Sequence, residues 1–368
     1  MSMITEFSLA DYAISVGDLS AAFPLWFDER EYSQVFLVTD ENIRHDCIPL
    51  FLEKSGLPAD VLVGTVTIPA GEQHKTLATC EKVWNAMLHA RLSRRALVIN
   101  LGGGVVGDLG GFCAATWKRG LDFVQVPTTL LSMTDASVGG KLGIDFQGIK
   151  NTIGVFQDPA AVFVDPDFLK TLPERELRSG MAEVVKHALI GSPLLLVQLS
   201  DTRMLSESLD APERYQPWWH RLLSDSIAVK ARIVADDPHE QGLRMLLNYG
   251  HTVGHAIESY FLKTPFPLTH GEAIAIGMIC ESWLARMEVP DGHNHLAQVI
   301  GTVSEVFLHH PVPESAYAEI WALMQQDKKN TTAAVRCAVP TGEPFGMQVL
   351  EVTETAVTES LNFYNGLA

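Results

Sequence analysis

Ala96-Leu97-Val98-Ile99-Asn100-Leu101 runs straight into Gly102-Gly103-Gly104-Val105-Val106-Gly107-Asp108, and a stretch of small residues follows. An apolar run of strand length, closed by glycines, predicts a buried strand and a tight turn, with a helix after it. In that setting a glycine run can approach a phosphate. Missing side chains let the backbone come close, and the helix N-terminus offers N–H groups and partial positive charge. The run is not the spaced G-x-G-x-x-G pattern, so a purely structural turn stays open as the alternative.

The same alternation extends outward. Upstream, Val35 to Thr39 reads as a strand ending at Asp40-Glu41-Asn42, and Asn42 to Lys54 as a helix stopped by Gly56 and Pro58. Val61 to Ile68 is a β-branched strand that enters a charged turn carrying Glu72 and Lys75, and Thr76 to Ala90 has an amphipathic helical pattern. Downstream, Leu121 to Val126 is a strand stopped by Pro127, which leaves Thr128 and Thr129 at its C-terminal end. Ligands sit outside that end of the strands in doubly wound sheets, although the two threonines could equally cap the next helix. Asp135 to Asn151 is polar and glycine-rich, and its Lys141, Lys150 and Asn151 suit anion recognition more than a core. A last strand is expected near Ala160 to Val164. Residues 1–172 therefore predict an α/β, Rossmann-like domain with a mostly parallel sheet. From Pro173 the pattern is helix after helix, interrupted only by a short β-like run at Ala334 to Val339, and residues 173–368 predict an all-α domain.

With 368 residues and 47% hydrophobic content the chain can build two substantial cores. A formal charge of -17 argues against nucleic acid or an anionic membrane as partner, and leaves room for a locally basic pocket. Five dispersed cysteines, Cys47, Cys80, Cys113, Cys280 and Cys337, have no paired spacing and suit reduced thiols in a cytoplasmic protein. Neither a signal peptide nor an apolar run of membrane-spanning length is seen.

The helical half holds the densest chemistry. In Asn248-Tyr249-Gly250-His251-Thr252-Val253-Gly254-His255 two histidines stand four apart, which puts both imidazoles on one helix face. His270 follows in Thr269-His270-Gly271-Glu272, and Glu183 lies earlier in a helical pattern. One carboxylate and nitrogen ligands with an open position describe a catalytic divalent-metal site. Four candidates exceed three ligands, so one histidine is free to shuttle protons. Lys186, Lys230, Arg244, Lys328 and Lys329, with Arg119 and Lys141, could form a pocket for a substrate carrying several negative charges.

These segments resemble the 3-dehydroquinate synthase family. PAGEQHKT, GGGVVGD, KRG, VPTTLLS, DASVGGK, IKN, GMAEVVKH, GLRMLLNYGHTVGHAIE, HGEA and DKK fall in family order between residues 69 and 330. The resemblance implies a metal- and NAD-dependent phosphate lyase. Such an enzyme converts 3-deoxy-D-arabino-heptulosonate 7-phosphate to 3-dehydroquinate and phosphate, by transient oxidation, β-elimination, re-reduction and aldol closure. It implies NAD contacts at Asp40, Asn42, Glu72, Lys75, Gly103, Gly104, Val105, Asp108, Thr128, Thr129, Lys141, Lys150, Phe168 and Thr171. Implied ligands to Zn2+ or Co2+ are Glu183, His251 and His270. Substrate and catalytic roles fall on Asp135, Lys141, Asn151, Lys186, Lys230, Arg244, Asn248 and His255, with a lysine of the Lys328-Lys329 pair. Arg119 matches an arginine lent across a homodimer interface. One departure is local: many members read Pro-Leu-Gly-Lys-Asn where this chain has Phe146-Gln147-Gly148-Ile149-Lys150-Asn151. Competing readings are a cyclase for another sugar phosphate, a metal-dependent polyol dehydrogenase, and a non-catalytic ligand-binding relic.

Overall fold

The computed structural model describes residues 3–9, 11–147, 149–326 and 334–367. Contacts divide the chain into two units. The first is Met1–Pro173 with Ala211–Ala231, and the second is Glu174–Asp210 with Arg232–Ala368. The first break thus falls next to the boundary expected at residue 172, while a later segment, 211–231, groups with the first unit.

In the first unit the strands are β1 (Ile4–Ser8), β2 (Ala13–Gly17), β3 (Gln34–Asp40), β4 (Leu62–Ile68), β5 (Ala96–Gly102), β6 (Asp122–Pro127), β7 (Lys141–Phe146), β8 (Ile149–Phe156) and β9 (Ala161–Val164). Seven form one sheet in the order β1-β2-β9-β6-β5-β3-β4. Only the β1–β2 pair is antiparallel. Helices α1 (Leu19–Asp28), α2 (Cys47–Ser55), α3 (Leu77–His89) and α4 (Gly104–Thr116) connect the strands. The chain leaves β3 toward β4 at one edge and returns to place β5 on the other side of β3. That reversal is the topological switch point at which open α/β sheets bind ligands. Alternate residues of β3 and β5 (Phe36, Val38, Ala96, Val98) join Val83 and Met87 of α3 and Leu109 and Cys113 of α4 in one buried cluster.

Several local expectations change. The helix expected from Asn42 begins only at Cys47, because Asp40 turns the chain first by accepting from the N–H groups of Asn42 (2.9 Å) and Ile43 (3.3 Å). Strands β1 and β2 and helix α1 had no diagnostic signal. The polar, glycine-rich segment Asp135 to Asn151, given no strand in the sequence reading, runs into an antiparallel hairpin, β7–β8, with Lys141 opposite Phe156 and Ile144 opposite Ile153. Leu142 and Ile144 of that hairpin are buried in the same core cluster.

The second unit contains α5 (Glu174–Gly191), α6 (Pro193–Leu199), α7 (Thr202–Asp210), the end of α8 (Gln216–Asp236), α9 (His251–Phe261), α10 (His270–Ala285), α11 (Gly292–Val306), α12 (Tyr317–Gln325) and α13 (Glu354–Asn365). It is not wholly helical: β10 (Val335–Pro340) and β11 (Met347–Val352) form an antiparallel pair, of which only the first was expected. Among the described residues no helix is long and apolar enough to cross a membrane.

Candidate active site

In the first unit, the C-terminal ends of three neighbouring strands gather the residues expected at a dinucleotide. Asp40 ends β3, Gly102 ends β5, and Thr128 and Thr129 follow β6. The Thr128 N–H donates to the Gly102 carbonyl (3.0 Å), which locks the two strand ends together. Gly103 caps α4 without a side chain, and a Cβ there would stand 3.2 Å from Thr129 Cγ2. Residue 104 faces the same limit, at 3.3 Å from Ala136 Cβ. The helix N-terminus is thus walled closely, and its first N–H groups have no side-chain cap, as an incoming phosphate requires. The hydroxyl of Thr128 is buried and has no hydrogen-bond partner among the described residues. Beside the turn, Lys75 is 3% exposed and donates to Asp108 Oδ2 and Asn151 Oδ1, both at 2.6 Å. Glu72 stands 3.8 Å from the same ammonium. Burial pulls the Lys75 pKa down, but Asp108 and Glu72 outweigh burial and hold it above the ordinary value.

The other expected first-unit residues distribute unevenly. Lys230 Nζ binds both the carbonyl of Asp135 and its carboxylate Oδ1, the latter at 2.6 Å. Lys141 is exposed at the start of β7, and Lys150 is half-buried near the start of β8. Asn151 has a positive φ of 49° and donates its N–H to Asp145. Phe168 is fully buried, so its ring belongs to the core. The Thr171 hydroxyl donates to the Phe168 carbonyl (3.1 Å) and lies 3.7 Å from Cys47 Sγ. Arg119 is not with this group. It is exposed in the turn that follows α4, one full helix away from the glycine turn. Thirteen residues of helix separate the two ends by roughly 20 Å.

In the second unit three helices converge because glycine lets them. A Cβ at Gly271 would stand 2.0 Å from the Ser179 carbonyl oxygen, and one at Gly277 would stand 1.9 Å from the Gly250 oxygen. Helices α5 and α9 therefore both lie backbone-close to α10. The approach delivers Glu183 of α5, His251 and His255 of α9 and His270 of α10 to one place. Glu183 is fully buried, and neither carboxylate oxygen accepts a well-formed hydrogen bond. Its Oε1 faces His251 Nε2 at 3.4 Å and His270 Nε2 at 3.6 Å, and its Oε2 pairs with Lys186 Nζ. A ligand nitrogen from each of His251, His255 and His270 falls within 4.8 Å of the others. Two ligands about 2.1 Å from a tetrahedral ion stand roughly 3.4 Å apart. The observed separations are too long for strong hydrogen bonds and match the edges of a coordination polyhedron. The donor set thus fits a divalent cation with borderline-soft preference.

Contacts at Nδ1 turn both rings with Nε2 inward. His251 Nδ1 donates to the Tyr249 carbonyl (3.0 Å), and His270 Nδ1 faces Glu258 Oε2 at 3.4 Å. Burial alone would push the Glu183 pKa up, but Lys186 and His251 overcome it and keep the carboxyl well below its usual range. His270 is lowered by burial and raised more strongly by Glu183 and Glu258, to about 9. Lys186 also donates to the Leu247 carbonyl (2.8 Å), tying α5 to the turn Leu243–Asn248. Arg244 in that turn is 2% exposed and donates to the Pro238 carbonyl, while Asn248 Nδ2 donates to Glu240. Lys328 and Lys329 lie outside the described residues. Glu258 was missed from sequence, although it stands seven residues after His251 on the same face and could have been found.

Comparison with solved structures shows a fold shared by several chemistries. The 2-epi-5-epi-valiolone synthase of Streptomyces hygroscopicus, solved with NAD+ and Zn2+ bound, superposes with a TM-score of 0.80 at 26% identity, covering 100% of this chain and 99% of that one. A 2-deoxy-scyllo-inosose synthase complexed with carbaglucose-6-phosphate, NAD+ and Co2+ gives 0.78 at 23% identity, over 98% and 99%. A maleylacetate reductase from Rhizobium gives 0.65 at 16% identity, over 100% and 99%. The class is therefore a fold with an α/β unit and a helical unit, found in proteins named as synthases and in one named as a reductase.

Sequence narrows the class. Residues 65–179 match the family described as 3-dehydroquinate synthase N-terminal, and residues 180–330 match 3-dehydroquinate synthase C-terminal. The 3-dehydroquinate synthase of Parabacteroides distasonis is 35% identical over 349 residues, 94% of this chain and 96% of that one. That of Halorhodospira halophila is 39% identical over 360 residues, 97% of each. This chain belongs to the 3-dehydroquinate synthase family.

Proposed function

We propose that this protein carries out the reaction for which its family is named, releasing phosphate from 3-deoxy-D-arabino-heptulosonate 7-phosphate and closing the carbon ring of 3-dehydroquinate. The observation that carries the reading is the buried Glu183 carboxylate, whose Oε2 pairs with Lys186 and whose Oε1 is faced by two imidazole Nε2 atoms at 3.4 Å and 3.6 Å. When bound, the dinucleotide supplies a reversible hydride acceptor and the cation a Lewis acid that acidifies a substrate hydroxyl. Zn2+ or Co2+ suits the donor set.

The residues of this chain do the rest. Gly103, Gly104 and Val105 present backbone N–H groups at the start of α4 to the pyrophosphate, with Thr128 and Thr129 beside them. Lys75, Asp108 and Glu72 hold the approach to that turn, and Asp40, Asn42, Lys150, Phe168 and Thr171 complete the dinucleotide contacts. Glu183, His251 and His270 hold the cation. His255 is close enough to the other two imidazoles to take the hydroxyl proton, and its half-buried ring keeps a path to water. Lys141, Lys186, Lys230, Arg244, Asn248 and Asn151 bind the carboxylate and phosphate and offset charge as phosphate leaves. Asp135 acts through Lys230, whose ammonium it orients. Arg119, exposed in the turn after α4, is contributed to the substrate of a second copy in a homodimer. We place the enzyme in the cytoplasm.

One assay tests the reading. Inorganic phosphate should appear from the seven-carbon substrate, depend on catalytic NAD+, stop on chelation and return with Zn2+ or Co2+. Absorbance from NADH should not accumulate. Stoichiometric NADH would assign the protein to the dehydrogenases that share its fold. Phosphate release indifferent to chelation would defeat the metal role.

A further inference from the structure

Helix α9, which carries His251 and His255, begins without a cap of its own. Its N-cap is Gly250, at φ 80°, and no acidic residue lies in its first turn. The cap comes from α10 instead. Glu281 is fully buried and accepts from the N–H of Gly250 at 2.8 Å through Oε2 and from that of Val253 at 3.0 Å through Oε1. The same helix grips the preceding residue: the Tyr249 hydroxyl donates to the Met278 carbonyl (3.1 Å) and meets Ser282 Oγ. Tyr249 is the residue whose carbonyl orients the His251 ring. Glu281, Met278 and Ser282 therefore fix the backbone on both sides of His251, while α10 carries His270 at its own N-terminus, eleven residues and roughly 16 Å before Glu281.

We propose that Glu281 is a positioning residue for the metal centre, holding the start of α9 so that His251 presents Nε2 toward Glu183 at ligand distance. The inference rests on the metal reading above. A carboxylate is suited to the task because it accepts from two N–H donors at once and complements the positive end of the helix dipole. Glutamine has the same shape but turns an NH2 group toward one of those donors.

The test uses the cobalt-loaded, full-length protein. In Glu281→Gln, cobalt should be lost to a chelator about tenfold faster than in the wild type, with an altered visible d–d band. Tyr249→Phe removes only the hydroxyl anchor. It should accelerate the loss by about three- to tenfold, the scale of one hydrogen bond, and it decides the matter if Glu281→Gln fails to fold. Thr76→Ala, which uncaps helix α3 of the first unit, should lower the melting temperature and leave cobalt lifetime and spectrum unchanged. Failure of the wild type to hold cobalt would overturn the metal reading itself. Wild-type lifetime and spectrum in folded Glu281→Gln, or in Tyr249→Phe if it alone folds, would overturn the positioning role and leave Glu281 an ordinary helix cap.

Discussion

Replacing Gly271 by alanine puts a methyl group where α10 already touches α5. The new Cβ would stand 2.0 Å from the Ser179 oxygen, 2.5 Å from its Cα and 2.6 Å from its carbonyl carbon. All three are backbone atoms, so no side chain can rotate away. Ordinary contact needs about 3.5 Å, and the helices must part locally by roughly 1.5 Å. Overpacking of this kind costs about 1–3 kcal/mol. The Gly271 N–H bond to Ser179 Oγ, 3.0 Å long, would be strained or lost for about 1 kcal/mol more. Function should suffer more than stability. His270 is the adjacent residue, and Glu183 lies one turn beyond Ser179 on α5. Their 3.6 Å separation would open by a comparable amount, far beyond the tolerance of about 0.2 Å in metal–ligand distances. Cobalt affinity, read by chelator competition, should fall at least tenfold, and turnover with it. Gly301→Ala is the control: it lies within α11, a Cβ there meets nothing within 4 Å, and the change should raise stability by up to about 1 kcal/mol without touching metal affinity. A Gly271→Ala protein with wild-type melting and wild-type cobalt affinity would refute the claim that glycine sets the ligand spacing.

Glu258→Gln should weaken metal binding by about 10–100-fold while leaving the fold intact, since it alters the group facing His270 Nδ1; unchanged affinity in a dye-competition titration would remove Glu258 from the site. Lys75→Ala leaves Asp108 without its cation and should cost about 3 kcal/mol by urea unfolding and raise the Kd for NAD+ at least tenfold; a loss below about 0.5 kcal/mol would mean that the pair is solvent-screened. Arg119→Ala and His255→Ala proteins should each be nearly inactive alone, and mixing them under subunit exchange should restore part of the activity. No recovery in demonstrably mixed dimers would place Arg119 outside the partner's site.

Much of this was legible in the sequence for a physical reason. Central parallel strands are buried on both faces, so Val35–Thr39 and Ala96–Leu101 read as unbroken apolar runs. The histidine pair at a spacing of four needs only helical geometry to be recognised. The β7–β8 hairpin was overlooked although Leu142, Ile144 and Phe146 alternate, because Gly139, Gly140 and Gly143 and a mostly exposed β8 dilute the signal. β1 and β2 carry too few apolar residues to be seen without the neighbour they pair with.

Local pattern thus settled the fold class, the glycine turn and the identities of the four metal-site candidates, because backbone periodicity and side-chain chemistry are properties of short segments. Only the tertiary structure decided that Glu183 meets His251 and His270 at 3.4 Å and 3.6 Å, and that Arg119 is exposed in the turn that ends α4. It alone revealed that a glutamate twenty-eight residues past Val253 caps the helix that carries His251 and His255. Those facts depend on how closely separate helices approach, which is set by backbone contacts at single glycines and by buried hydrogen bonds between distant segments. No periodicity along the chain records them.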